Sequence, residues 1–170
     1  ARARISLPAL AITIAAPHTH GGPVSMLGRL FAEADPTFIH RIEDAVVQAV
    51  DRAITDRKPA RLLGGVGLEP GFAHNRRRSD GPVDAGIPVL RFESAQGSTI
   101  AVLVSYACHP VVLGADNLNW TSDYPHFVRE KIENAFPGAI AIFATGCAGD
   151  VNTGHSAAAS LNPQATPERS

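Results

Sequence analysis

Apolar residues follow two periods along this chain, and each marks a different kind of element. Ile39, Ile42, Val46, Val50 and Ile54 recur at spacings of three and four, the period of one helix face. Asp35-Pro36 supplies an N-cap and a first-turn proline ahead of them, and Asp56-Arg57-Lys58-Pro59 a stop. The pattern predicts a helix between those signals that packs and carries no chemistry. A second helix is expected from a Ser122 or Asp123 cap to about Phe136, with Val128, Ile132 and Ala135 inward and Pro137-Gly138 beyond its end.

Continuous or alternating apolar runs fill the intervals. Residues 10–16 and 61–69 read as strands, the second loosened by glycines. Residues 87–92 and 99–108 flank Gln96-Gly97 as an antiparallel hairpin. The 99–108 run is nearly all apolar, which suits a central strand buried on both faces, and 139–145 reads as a further buried strand. Residues 70–86, rich in Gly, Arg and Asp, read as a long loop. Strands alternating with helices predict an α/β layered domain: a mixed, mostly buried sheet flanked by helices. No internal repeat is visible.

With 170 residues, 45% of them apolar, the chain can bury a real core. One domain is expected over residues 1–153, followed by a polar tail over 154–170. The chain opens without Met and closes on a polar run, so both ends read as cuts or processing points of something longer. A net charge of -1, from 15 basic and 16 acidic residues, excludes the strong cationic attraction used for nucleic acid or anionic membranes. No apolar run reaches the ~20 residues of a membrane span, and no signal-peptide core is present. The expected partner is a small molecule. Two cysteines, Cys108 and Cys147, rule out a disulfide framework but permit one bridge if their strands are neighbours.

The candidate chemistry gathers at the ends of three apolar runs: His18 and His20, then His109, then Asp150. Ligands of open α/β sheets collect outside strand ends, so residues distant in sequence meet there. If the first strand continues, its period of two points His18 and His20 the same way, able to share a metal or divide into a ligand and an acid/base. Neutral imidazoles suit zinc. Plainer readings stand beside these: a surface histidine pair, His109 as a core histidine satisfied by backbone, Ser122-Asp123 as a helix cap, and 146–150 as a turn. The basic run His74-Asn75-Arg76-Arg77-Arg78 is either a solvated loop or the source of one guanidinium clamp.

His18-Thr19-His20-x-Gly22-Pro23, Asn75-Arg76, Tyr106-Ala107-Cys108-His109-Pro110, Ser122-Asp123-Tyr124-Pro125 and Gly146-x-Ala148-Gly149-Asp150 together resemble the neutral, non-lysosomal ceramidase family of zinc amidases, in that family's order. The resemblance implies one zinc ion held by His18 and His109, with His20 as the acid/base beside it. It also implies that Arg76 and Ser122 contact the scissile amide, and Asn75, Asp123 and Asp150 are read as further substrate contacts. A metal-activated water would attack the carbonyl of an N-acyl or lipid amide while a neighbouring group protonates the leaving amine. The family completes its zinc shell with a Glu and a Tyr from a later segment, so a second segment or another chain of an oligomer is expected to finish the site. His126, His155 and Asp123 are further donors within this chain. Gly21 stands where the family usually carries Ser, and His126 where it often carries Gly. Two other readings compete: a serine hydrolase built on Ser122, which lacks the Gly-x-Ser-x-Gly elbow, and a non-catalytic relative that binds a metal or small ligand without turnover.

Overall fold

The computed structural model describes residues 13–25 and 33–154. They fall into two compact units, one holding 13–15, 23–25 and 33–59, the other 16–22 and 60–154. The first unit contains helix α1, Pro36–Thr55. The Asp35 carboxylate accepts from Thr37 N at 2.8 Å and Asp56 N donates to Arg52 O, so both ends lie where the sequence signals set them. Residues 10–12 of the expected first strand and the tail 155–170 lie outside the described residues.

The second unit is built on a four-stranded sheet in the order β1 (Arg61–Leu68), β3 (Gly86–Glu93), β4 (Thr99–Tyr106), β5 (Ile140–Thr145). The β1–β3 and β3–β4 pairs are antiparallel. The β4–β5 pair is parallel and is joined through helix α2, Tyr124–Ala135. The sheet is therefore mixed. Gly97, at φ +84°, closes the predicted hairpin, and Gly138, at φ +87°, turns the chain from α2 into β5. Asp123 N-caps α2 with its side chain.

Val102, Val104 and Tyr106 of β4 and Ala141 and Phe143 of β5 point to one side. There Val104, Tyr106 and Phe143 pack with Cys108 and Val151, against Tyr124, Val128 and Ile132 of α2 and Val89 of β3. On the other side Leu62, Val66, Leu68, Leu90, Ile140 and Ile142 are exposed. This corrects the expectation that β4 and β5 are buried on both faces, and it ends β4 at Tyr106 rather than Cys108. A run apolar on both sides becomes doubly buried only where both faces are covered. In this unit α2 covers one.

The described part of the first predicted strand is not a strand. Residues 13–19 carry no ladder, and Ile14 is 78% exposed. Apolar character makes a strand only when another edge accepts its backbone groups, and beside β5 the described stretch makes a side-chain bond, from the Thr145 hydroxyl to the Pro17 carbonyl, and no ladder. Two-residue strands β2 (His74–Asn75) and β6 (Val151–Asn152) pair antiparallel inside stretches read as loop and turn. They bring the basic run against the 146–150 turn. Among the described residues no helix is long and apolar enough to cross a membrane.

Candidate metal centre

Beyond β4 the backbone dives through Ala107, Cys108, His109 and Pro110, all buried. His109 N donates to Val151 O at 2.9 Å, and its ring Nδ1 faces the carbonyls of Ala148 and Val151. An Nδ1–H donating to those carbonyls leaves Nε2 with its lone pair, the arrangement that orients a metal-ligating imidazole. The backbone-satisfied reading of His109 and the ligand reading therefore hold together.

His18 and His20 reach the same place by a turn, not by strand alternation. His18 has φ +67°, the left-handed region. The Thr19 hydroxyl donates to Thr121 O at 2.8 Å and accepts from Gly21 N at 3.1 Å, while Thr121 N donates to Gly21 O at 2.8 Å. Three rings result, with centroids 4.7 Å apart for His18–His109, 5.3 Å for His18–His20 and 5.5 Å for His20–His109. One ligand nitrogen from each lies within 4.8 Å of the others. A tetrahedral zinc with bonds of ~2.0–2.1 Å spaces its ligand nitrogens roughly 3.3 Å apart. The donor set thus fits such an ion after its widest spacing contracts by about 1.5 Å.

Electrostatics favour the neutral form of two of these rings, His20 and His109. His20 is held below the ordinary imidazole value first by burial, then by His18, His109 and Arg76, with Asp123 pulling the other way. His109 is lowered by burial and then by Arg76, while its bonds to the Val151 and Ala148 carbonyls oppose the shift. Neutral imidazole is the form that binds metal or accepts a proton.

Arg76 stands at the rim of the same centre. Its amide donates to Asp150 O and its Nη2 to Gly149 O, both at 2.8 Å, and its buried Nε has no hydrogen-bond partner among the described residues. With His18, His109, Thr145 and the 146–149 turn it lines an open cleft of about 380 Å³. The basic run is thus divided: Arg76 lines the cleft, whereas Arg78 pairs with Asp80 at the surface.

The remaining predicted site residues serve the frame. Asn75 Nδ2 donates to Asp150 Oδ2 at 2.9 Å and to Pro82 O, and its Oδ1 accepts from Arg77 N and Arg78 N. The two side chains hold each other and so hold the loop bearing Arg76. Buried Asp123 accepts from Val112 N, Leu113 N and Tyr124 N at 3.1, 2.9 and 2.8 Å. Ser122 is exposed, just before the Asp123 cap of α2. His126 stacks edge-on to Phe127 outside the cluster, and His155 lies beyond the described residues. Both cysteines are free, Cys108 buried and Cys147 exposed, so the permitted bridge is not formed. Burial, followed by the Asp123 charge, pushes the Cys108 thiol up to about 12. The Thr19–Thr121 bond that holds the His18–His20 turn was not read from sequence, because a hydroxyl between two loops leaves no periodic or motif signal.

No family model matches the sequence. Solved structures do match its fold. A ceramidase described as complexed with C2 superposes with a TM-score of 0.64 at 22% identity, over 71% of this chain and 21% of that one. Neutral ceramidase from Pseudomonas aeruginosa superposes with a TM-score of 0.65 at 21% identity, over 73% and 22%. The fold resembles part of neutral ceramidase. This chain spans about a fifth of the length of either ceramidase, which agrees with the partial resemblance carried by its motifs. In this chain the 18–20 turn, the 109 loop and the 146–150 turn converge beyond the ends of β4 and β5.

Proposed function

We propose that this protein is a metal-dependent amide hydrolase acting on an N-acyl amide of the ceramide type, with one zinc-class ion held by His18 and His109. The observation that carries the reading is the gathering of three imidazole nitrogens within 4.8 Å of one another beside an arginine-lined cleft. The likeness of the fold to neutral ceramidase supports the substrate class. His18 and His109 form the tighter ring pair, and His20 stands farther from both. That difference favours the first two as ligands and His20 as the acid/base.

A zinc-class ion supplies Lewis acidity there, polarising a carbonyl oxygen and making water nucleophilic near neutral pH. His109, oriented by two backbone carbonyls, presents Nε2 as a fixed donor. His20, neutral at pH 7, takes the proton of the attacking water and returns it to the leaving nitrogen. Arg76, on the cleft wall, offers its guanidinium to an amide or headgroup oxygen. Asn75 and Asp150 keep that guanidinium at the cleft.

Hydrolysis of a short-chain N-acyl amide, followed by release of free amine, tests the activity. Turnover that a chelator abolishes and zinc restores is expected. Turnover indifferent to the chelator would transfer the chemistry to another centre, and no release from zinc-loaded protein across N-acyl amides would leave a metal-binding relative without hydrolysis.

A further inference from the structure

The turn carrying His18 and His20 is held against the 119–123 loop by a small set of contacts centred on Gly21 and Thr121. Thr121 N donates to Gly21 O, the Thr19 hydroxyl donates to Thr121 O, and Gly21 N donates back to Thr19 Oγ1. A Cβ placed on Gly21 would meet Thr121 Cγ2 at 2.3 Å, with Thr121 O at 3.3 Å. Thr121 cannot swing that methyl aside freely. Its Oγ1 accepts from Asp123 N at 2.9 Å, which fixes the rotamer of an already stiff β-branched side chain. Asp123 in turn has φ +55° and ψ -153°, a backbone region that suits glycine, and its carboxylate is bound by three amides of the 112–113 and 124 backbone. Strain of this kind persists only where surrounding contacts over-determine it.

We infer that Gly21 and Thr121 are a size-matched pair of positioning residues that, together with the Thr19 hydroxyl, lock His18 and His20 in register with His109. The consequence for metal binding rests on the metal reading above, whereas the lock itself does not. Neither residue is a ligand. They act through the loop, in the way that groups behind a metal's ligands set its affinity by about 10–100-fold. The pair also makes a specific claim about size. Any side chain at position 21 requires a smaller residue at 121, and serine there retains the hydroxyl that accepts from Asp123 while removing the obstructing methyl.

The test uses the full chain carrying Gly21→Ala, Thr121→Ser, or both, read by amide exchange at residue 121 without metal and by zinc affinity. Gly21→Ala is expected to lose protection at the Thr121 amide and to weaken zinc binding by about 10–100-fold. Thr121→Ser alone is expected to change neither, and the double variant to regain both. Wild-type protection in Gly21→Ala, or a double variant no better than Gly21→Ala, overturns the lock. Should Gly21→Ala fail to fold, Thr19→Val and Thr19→Ser decide. Loss of Thr121 protection in Thr19→Val with recovery in Thr19→Ser supports the lock, and equal protection in the two overturns it. Wild-type chain that takes up no zinc defeats the metal reading, while the exchange comparison still decides the lock.

Discussion

Single residues in this protein divide sharply between those that face the cleft and those that hold others in place. His20 and His109 are lowered from the ordinary value of 6.5, chiefly by burial and then by positive neighbours. In the unfolded chain both titrate near 6.5, so below that pH the unfolded state binds more protons than the folded one. Their contribution to stability is therefore present above pH 6.5 and lost as pH falls through the lowered folded values. Urea unfolding of chelator-treated protein should give a midpoint that is flat from pH 8 to 6.5 and declines from 6.5 toward 5. A midpoint rising over that lower interval contradicts the electrostatics described. The histidines were legible because His-x-His and Cys-His-Pro stand at the ends of apolar runs. The Asp123 cap was legible as well, but its bonds to the 112–113 amides and the mutual hold of Asn75 and Asp150 were not, because contacts between distant loops leave no local pattern.

At the scale of elements, local signals located both helices and the hairpin closely. Asp35-Pro36, Gln96-Gly97 and Pro137-Gly138 are chain-local chemistry, and each produced the predicted boundary or turn. The strand expected over 10–16 failed in its described part for the opposite reason, since strand formation depends on a distant edge. The β2–β6 pair was equally hidden, being two residues long on each side. The two helix caps now invite a direct comparison. Asp35 makes one exposed bond, to Thr37 N, so Asp35→Ala should cost about 1 kcal/mol. Asp123 is buried and satisfies three amides, so Asp123→Ala, leaving those amides unpaired, should cost about 3 kcal/mol or more. Chemical denaturation of the two variants measures both, and equal costs would show that the 112–113 loop does not depend on Asp123.

On the scale of the whole molecule, the sheet of the second unit has one packed face and one exposed apolar face. The 99–108 run was read as buried on both faces and 139–145 as a further buried strand, because Ile140 and Ile142 are as apolar as the residues that do pack. The asymmetry has an energetic signature. Phe143, in the core beside Tyr124 and Val128, should cost about 3–5 kcal/mol when cut to Ala. Val66→Thr, at a position 70% exposed, should stay within about 0.5 kcal/mol. Comparable losses at the two positions would mean that the second face is packed.

The three-imidazole cluster is the claim on which the rest depends, and elemental analysis of purified protein after zinc loading tests it most directly. Near-stoichiometric zinc is expected in the wild type, with its loss in both His18→Ala and His109→Ala and its retention in His20→Ala. Full zinc in His18→Ala and in His109→Ala would contradict the claim.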